Sequence, residues 1–172
     1  MQMADESTSR LAPVDPSRLS ERQASLLEEG WSVIERALRP RLDLCLTEPP
    51  PTRHQLAFTM DEHSRTLHTA VYKVCQLDTP ETPGMTDLKQ RYCDHVRDVS
   101  ARAVALLAGK QGTQLAVAFF GVWKSFKMYA LFLAWRVFRQ LELLDPRRLE
   151  NVAYTAFRQA LSGAAAARRG SS

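Results

Sequence analysis

The chain has little of what most enzymes and most secreted proteins carry. Its three cysteines, Cys45, Cys75 and Cys93, are widely spaced and odd in number. No disulfide framework is written there; buried thiols in a reducing compartment are the plain reading, and cytoplasm or nucleus the expected location. Its glycines form no Gly-x-Ser-x-Gly elbow and no phosphate loop of either common spacing, which removes two frequent enzyme signatures. No segment alternates apolar and polar residues as a half-buried strand requires. Met1 to Pro16 is polar and carries acids, without the basic-then-apolar order of a signal peptide. The net charge of +4 is scattered among acids, and no basic face is interleaved with aromatics. Nucleic acid is therefore not an expected partner.

Histidines and cysteines are also too poorly grouped for metal chemistry. Zinc ligands come in pairs two to four residues apart, whereas Cys93 and His95 flank a single residue, Asp94. Residues two apart on a helix do not face each other, and a neighbouring acid raises a thiol's pKa. His63 and His68 are five positions apart, which turns their side chains about 140° from each other on a helix. No metal, no cofactor and no catalytic group is expected, and the chain is not read as an enzyme.

What it does have is a long apolar run. From Thr113 to Leu144 there are four basic residues, one acid, no proline, and after Gly112 a single glycine, Gly121. Phe119, Trp123, Phe126 and Tyr129 recur at three- and four-residue steps, close to one line on a helix, and Trp135 and Phe138 widen the band. A helix this apolar has to be surrounded by other helices. Lys124 and Lys127 interrupt it, so a protein core is expected and a membrane span is not.

The rest of the chain supplies the neighbours. Residues 1–19 read as a flexible lead-in. A first helix from Ser20 carries Leu27, Trp31, Ile34, Leu38 and Leu42, with Pro40 expected to end or kink it. Pro49-Pro50-Pro51 breaks the chain. A second helix, about 53–76, has an inner line of Met60, Leu67, Val71 and Val74, and an outer line of Ser64, His68 and Tyr72. A third starts near Thr86-Asp87, buries Leu88, Tyr92, Val96, Val99, Ala103 and Leu106, and stops at Gly109. After the aromatic helix, Asp145-Pro146 caps a fifth, about 146–162, with Leu149, Val152, Ala153, Phe157 and Leu161 on one side and Glu150, Asn151 and Tyr154 opposite. Gly163 is expected to stop it, leaving 163–172 disordered. The fold class is all-α, a five-helix bundle over 20–162.

The order of these elements carries a resemblance. Trp31-Ser32-Val33-Ile34 opens the first helix, Val71-Tyr72-Lys73-Val74-Cys75 closes the second, and Trp123-Lys124-Ser125-Phe126 lies in the long one. The stretch from Leu149 to Arg158 forms the last. This is similar to the first repeat of cullins, the scaffold subunits of multi-subunit ubiquitin ligases, over roughly Glu28 to Leu161. The resemblance implies a cullin repeat whose second and fifth helices, side by side, dock an adaptor with a BTB/Skp1-like fold. It also implies that Ser64, Leu67, His68 and Tyr72, together with Glu150, Asn151 and Tyr154, form the docking face. Cullins place aromatics where this chain has Ser64, His68 and Glu150, which would weaken or redirect adaptor choice. The chain carries one repeat, so no RING-subunit binding is expected from it alone. The alternative is a helical interaction or oligomerisation domain unrelated to ubiquitin ligases.

Overall fold

The computed structural model describes residues 21–52, 54–55, 64–76, 83–142 and 147–170. They hold five α-helices: α1 (Glu21–Cys45), α2 (Ser64–Gln76), α3 (Pro83–Ala105), α4 (Gly112–Phe132) and α5 (Arg147–Gly170). A π turn, Leu133–Val137, and a 3-10 turn, Arg139–Glu142, follow α4. No strand occurs among the described residues, and the all-α bundle is what forms. The expected lead-in at 1–19, the first part of the second helix with Met60, and the Asp145-Pro146 cap lie outside the described residues.

Each helix is placed by its apolar stripe. On α1, Leu27, Ile34, Leu38, Leu42 and Cys45 are buried and Trp31 is half-buried, one face of a 3.6-residue turn. Pro40 sits inside α1 and does not end it. Leu42 and Cys45, beyond the proline, keep the stripe in the core. Burying them offsets the roughly 3 kcal/mol that an interior proline costs. The buried Arg41 in the same turn donates to the Ala37 carbonyl, and its guanidinium lies 5.4 Å from the centre of the Phe132 ring.

α3 packs most extensively on α5, and α1 on α2, while α4 touches α1, α3 and α5. Leu88, Tyr92, Val96, Val99 and Ala103 of α3 are buried as expected. Leu107 takes the last core position and Leu106 is only half-buried. The chain then turns through Gly109 and Gly112 at φ of 74° and 53°, a conformation that favours glycine. Phe157 of α5 is the hub of an aromatic cluster, with ring centres 4.6 Å from Phe126, 5.2 Å from Trp123 and 6.5 Å from Phe119. The buried Tyr92 hydroxyl donates to the Leu149 carbonyl at 2.7 Å, joining α3 to the first turn of α5.

Three features depart from the sequence reading. The long helix does not run to Leu144: after Phe132 it widens into the π turn, where the Phe138 amide donates to the Leu133 carbonyl at 2.8 Å. Neither proline nor glycine marks this point. The widened turn brings Phe138 onto Tyr92 at 5.1 Å and Trp31 at 6.3 Å, and burial of that ring accounts for it. The same helix is not fully surrounded, since Val117 and Phe120 near its start are 68% and 70% exposed. Its later half, with Phe126, Tyr129 and Phe132, is core. Finally, α5 continues through Gly163 to Gly170, where a disordered tail was expected. Four alanines after Gly163 favour the helix, and Arg168 donates to the Leu107 carbonyl at 2.9 Å, fastening its last turns to the end of α3.

Candidate functional site

The outer faces of α2 and α5 are joined through the segment that ends α4. α2 and α5 do not pack extensively on each other; the π turn lies against both, and the 3-10 turn lies against α2. His68 and Tyr72 project from α2 with their rings stacked, 6.5 Å between centres and 10° between planes. Tyr72 is 43% exposed and His68 is exposed. The Gln140 side-chain amide of the 3-10 turn reaches His68 Nε2 at 3.3 Å. On the α5 side, the Trp135 indole N–H donates to one Glu150 carboxylate oxygen at 3.3 Å. The Tyr154 hydroxyl donates to the other at 2.7 Å.

This arrangement presents a polar-edged aromatic surface. Trp135 is 42% exposed, and its ring is held by a charge-assisted bond to Glu150. Tyr154 is half-buried against Trp123, 5.4 Å between ring centres, with its hydroxyl on Glu150. Burial, and then the Glu150 carboxylate, push the Tyr154 phenol above its ordinary value of 10.0, so it stays a neutral donor. Asn151 is exposed one residue on and lines two shallow clefts of about 450 and 330 Å³ beside α5. Aromatics with one apolar body and one polar tip suit a surface that trades water for a protein partner.

No protein-family model matches the chain, and neither a curated protein nor a solved structure matches it.

The residues expected on the docking face fall into three groups. His68, Tyr72, Glu150, Asn151 and Tyr154 are exposed or half-buried and flank the 133–142 segment. Ser64 opens α2, and its side chain lies outside the described residues. Leu67 does not belong to the face: it is 0% exposed and shares the inner line with Val71, four residues on. Sequence reasoning missed Trp135 and Gln140, the two side chains that connect the helices to the turns between them. Its place in the apolar run groups Trp135 with the core aromatics. It lies nine residues past Phe126, about two and a half turns, which on a regular helix is the opposite face. Arg136, Arg139 and Gln140 also punctuate the apolar run at helical spacing, a sign that this side is solvated.

Cys93 and His95, neighbours in sequence, do not share a cleft. The cleft beside Cys93 is lined by Arg97, Asn151, Val152, Thr155, Ala156 and Gln159, without His95 and without a carboxylate. His95 points elsewhere: its Nε2 lies 2.8 Å from the buried Tyr129 hydroxyl, and its ring meets Trp31 edge-on. Burial holds the His95 imidazole at about 4, with Asp98 opposing that shift and Arg102 adding to it. Among the described residues, no group of three or more His, Cys, Asp and Glu side chains could hold a metal ion.

Proposed function

We propose that this chain is a non-catalytic protein-binding module that docks a BTB/Skp1-like adaptor in a ubiquitin-ligase context. The docking face comprises Tyr72 and His68 of α2, Trp135 and Gln140 of the connecting turns, and Glu150, Asn151 and Tyr154 of α5. What carries the reading is the stacked, exposed His68–Tyr72 pair on α2 and the Trp135–Glu150–Tyr154 chain on the π turn and α5, two groups that the 133–142 segment connects. Anchors of this type, an aromatic ring beside a satisfied polar group, dominate protein interfaces. The resemblance of motif order to the first cullin repeat supplies the adaptor class.

Titration against a panel of BTB and Skp1-type adaptors tests it. Burying the exposed part of the Tyr72 ring would contribute about 1.5–3 kcal/mol, so Tyr72→Ala should weaken binding roughly ten- to a hundredfold. His68→Asp should weaken it as well, by placing a charge in a desolvated contact. Absence of binding to every adaptor, or indifference to both substitutions, removes the proposal.

A specific observation favours a second reading, a helical interaction domain outside ubiquitin ligases. Over the described residues α2 and α5 do not pack extensively on each other, and the 133–142 segment bridges them. The same panel separates the two, because this reading predicts no adaptor binding at all.

A further inference from the structure

The end of the molecule away from the α2 face carries a second surface. Residues 99–141 contain no acid, and neither do residues 151–172. The two stretches together supply Lys124, Lys127, Arg158, Arg168 and Arg169, besides Arg136 and Arg139 of the connecting turns, whereas their Lys110 pairs with Glu48 and their Arg102 with Asp43 and Asp98. They meet where the first turns of α4 run beside the last turns of α5. A groove of about 660 Å³ lies there, floored by Leu107, Leu115, Phe119 and Leu161, with Phe120 on one wall and Ala165 on the other. Arg168 and Arg169 stand at its lip, and no acidic residue lines it. On the other side of the same helix, Val117 and Gly121 border a second groove of about 630 Å³, with Pro49 and Pro50 opposite. The exposed Phe120 and Val117 form the ridge between the two.

Charge decides among the occupants. A second copy of this chain that met it groove to groove would set the Arg168 and Arg169 lips of two grooves, neither lined by an acid, against each other, an arrangement that costs free energy. A flat anionic bilayer would meet the Phe120 ridge but leave the concave grooves unfilled. We infer that the α4–α5 groove binds an acidic amphipathic helix of a partner protein, whose leucine or phenylalanine row fills the groove while its carboxylates meet Arg168 and Arg169. Helix-in-groove recognition of this kind uses anchors at three- and four-residue spacing against a hydrophobic trough. The groove adjoins the α5 side of the adaptor face, since Phe119 and Leu161 line both it and the cleft beside Asn151 and Tyr154, but it uses none of the residues assigned to that face and neither proposal depends on the other.

The test uses the full chain and a set of fluorescein-labelled helical peptides. Each has leucine or phenylalanine along one face and glutamates elsewhere; controls are a scrambled version and a lysine-for-glutamate version. Fluorescence anisotropy should show binding of the acidic amphipathic peptides alone, weakening as salt rises. Phe120→Ala should weaken it about tenfold, as loss of an aromatic wall does. Arg169→Glu should weaken it at low salt and flatten the salt dependence. Both positions are exposed, so circular dichroism should confirm an unchanged fold. Ala165→Trp, which fills the groove from an exposed helical position, should also block binding. Three results would overturn the inference: equal binding of the scrambled peptide, or no binding by any acidic peptide; co-sedimentation with phosphatidylserine vesicles in place of peptide binding; or a dimer in sedimentation equilibrium that Phe120→Ala dissolves.

Discussion

Acid should destabilise this bundle at His95. The imidazole packs edge-on against Trp31, ring centres 6.3 Å apart, and pairs with the buried Tyr129 hydroxyl at 2.8 Å. Burial is the chief reason its pKa falls from 6.5 to about 4. The sign follows from proton counting. Between those two values the unfolded chain binds a proton at this position and the folded one does not, so protonation favours unfolding. The contribution of the neutral ring is complete above about pH 6.5 and declines as pH drops toward 4. The slope is about 1.4 kcal/mol per pH unit, or roughly 3 kcal/mol across the window. His95→Gln keeps a hydrogen-bonding amide for Tyr129 but does not titrate. Urea unfolding followed by tryptophan fluorescence, at pH steps from 7 to 4, gives the stability of each protein. The difference between them should shift by about 3 kcal/mol in favour of the variant as pH falls. Other acid-titrating groups cancel in that difference when they lie away from His95. Glu28, whose carboxyl is held below its ordinary range first by its hydrogen bond to Arg91 and then by the Arg91 charge, is not one of them, because Arg91 lies over the Trp31 ring that His95 also meets; a Glu28→Gln background in both proteins removes its titration. Parallel pH curves for the two proteins would refute the reasoning.

Two further substitutions probe the packing. Phe157→Ala removes the hub ring shared by Phe126, Trp123 and Phe119, and should cost about 3–5 kcal/mol in denaturant unfolding; a loss below about 1 kcal/mol would mean that the ring is not in the core. Gly163→Ala tests the length of α5. Gly163 lies inside that helix at an ordinary φ, with open space where a Cβ would go. The substitution should therefore raise stability by about 0.5–1 kcal/mol, the interior glycine penalty, measured by thermal or urea unfolding. A loss would indicate that the helix ends at this glycine in a left-handed cap.

The stripes of α1, α2 and α3 were legible because burial follows one strict period. Leu27, Ile34, Leu38 and Leu42 on α1, with Leu67 and Val71 on α2, occupy the core as their spacing required. The long aromatic run was legible only in part. Periodicity cannot locate a π turn, because nothing in Leu133–Val137 differs in type from the residues before it. Only the three-dimensional requirement to seat Phe138 between Tyr92 and Trp31 reveals it. Apolar composition likewise exaggerated how much of α4 is covered. Phe120 and Val117 look like core residues and yet stand in solvent, on a side of α4 that no described element covers. Gly163 was read as a stop because glycine often is one; the alanines and the Arg168–Leu107 bond decide otherwise. At the candidate docking face, His68, Tyr72 and Tyr154 could be picked out as residues that the core did not need. Leu67 could have been excluded on the same ground, since it shares the inner line of Val71.

Amide hydrogen exchange, with and without a BTB/Skp1-like adaptor that binds, tests the joint docking face most directly. Protection should rise together in α2 around His68 and Tyr72, in the 133–142 turns, and in the first two turns of α5, while 112–121 stays unchanged. Protection confined to one of the three segments, or appearing at 112–121 instead, would contradict a shared face.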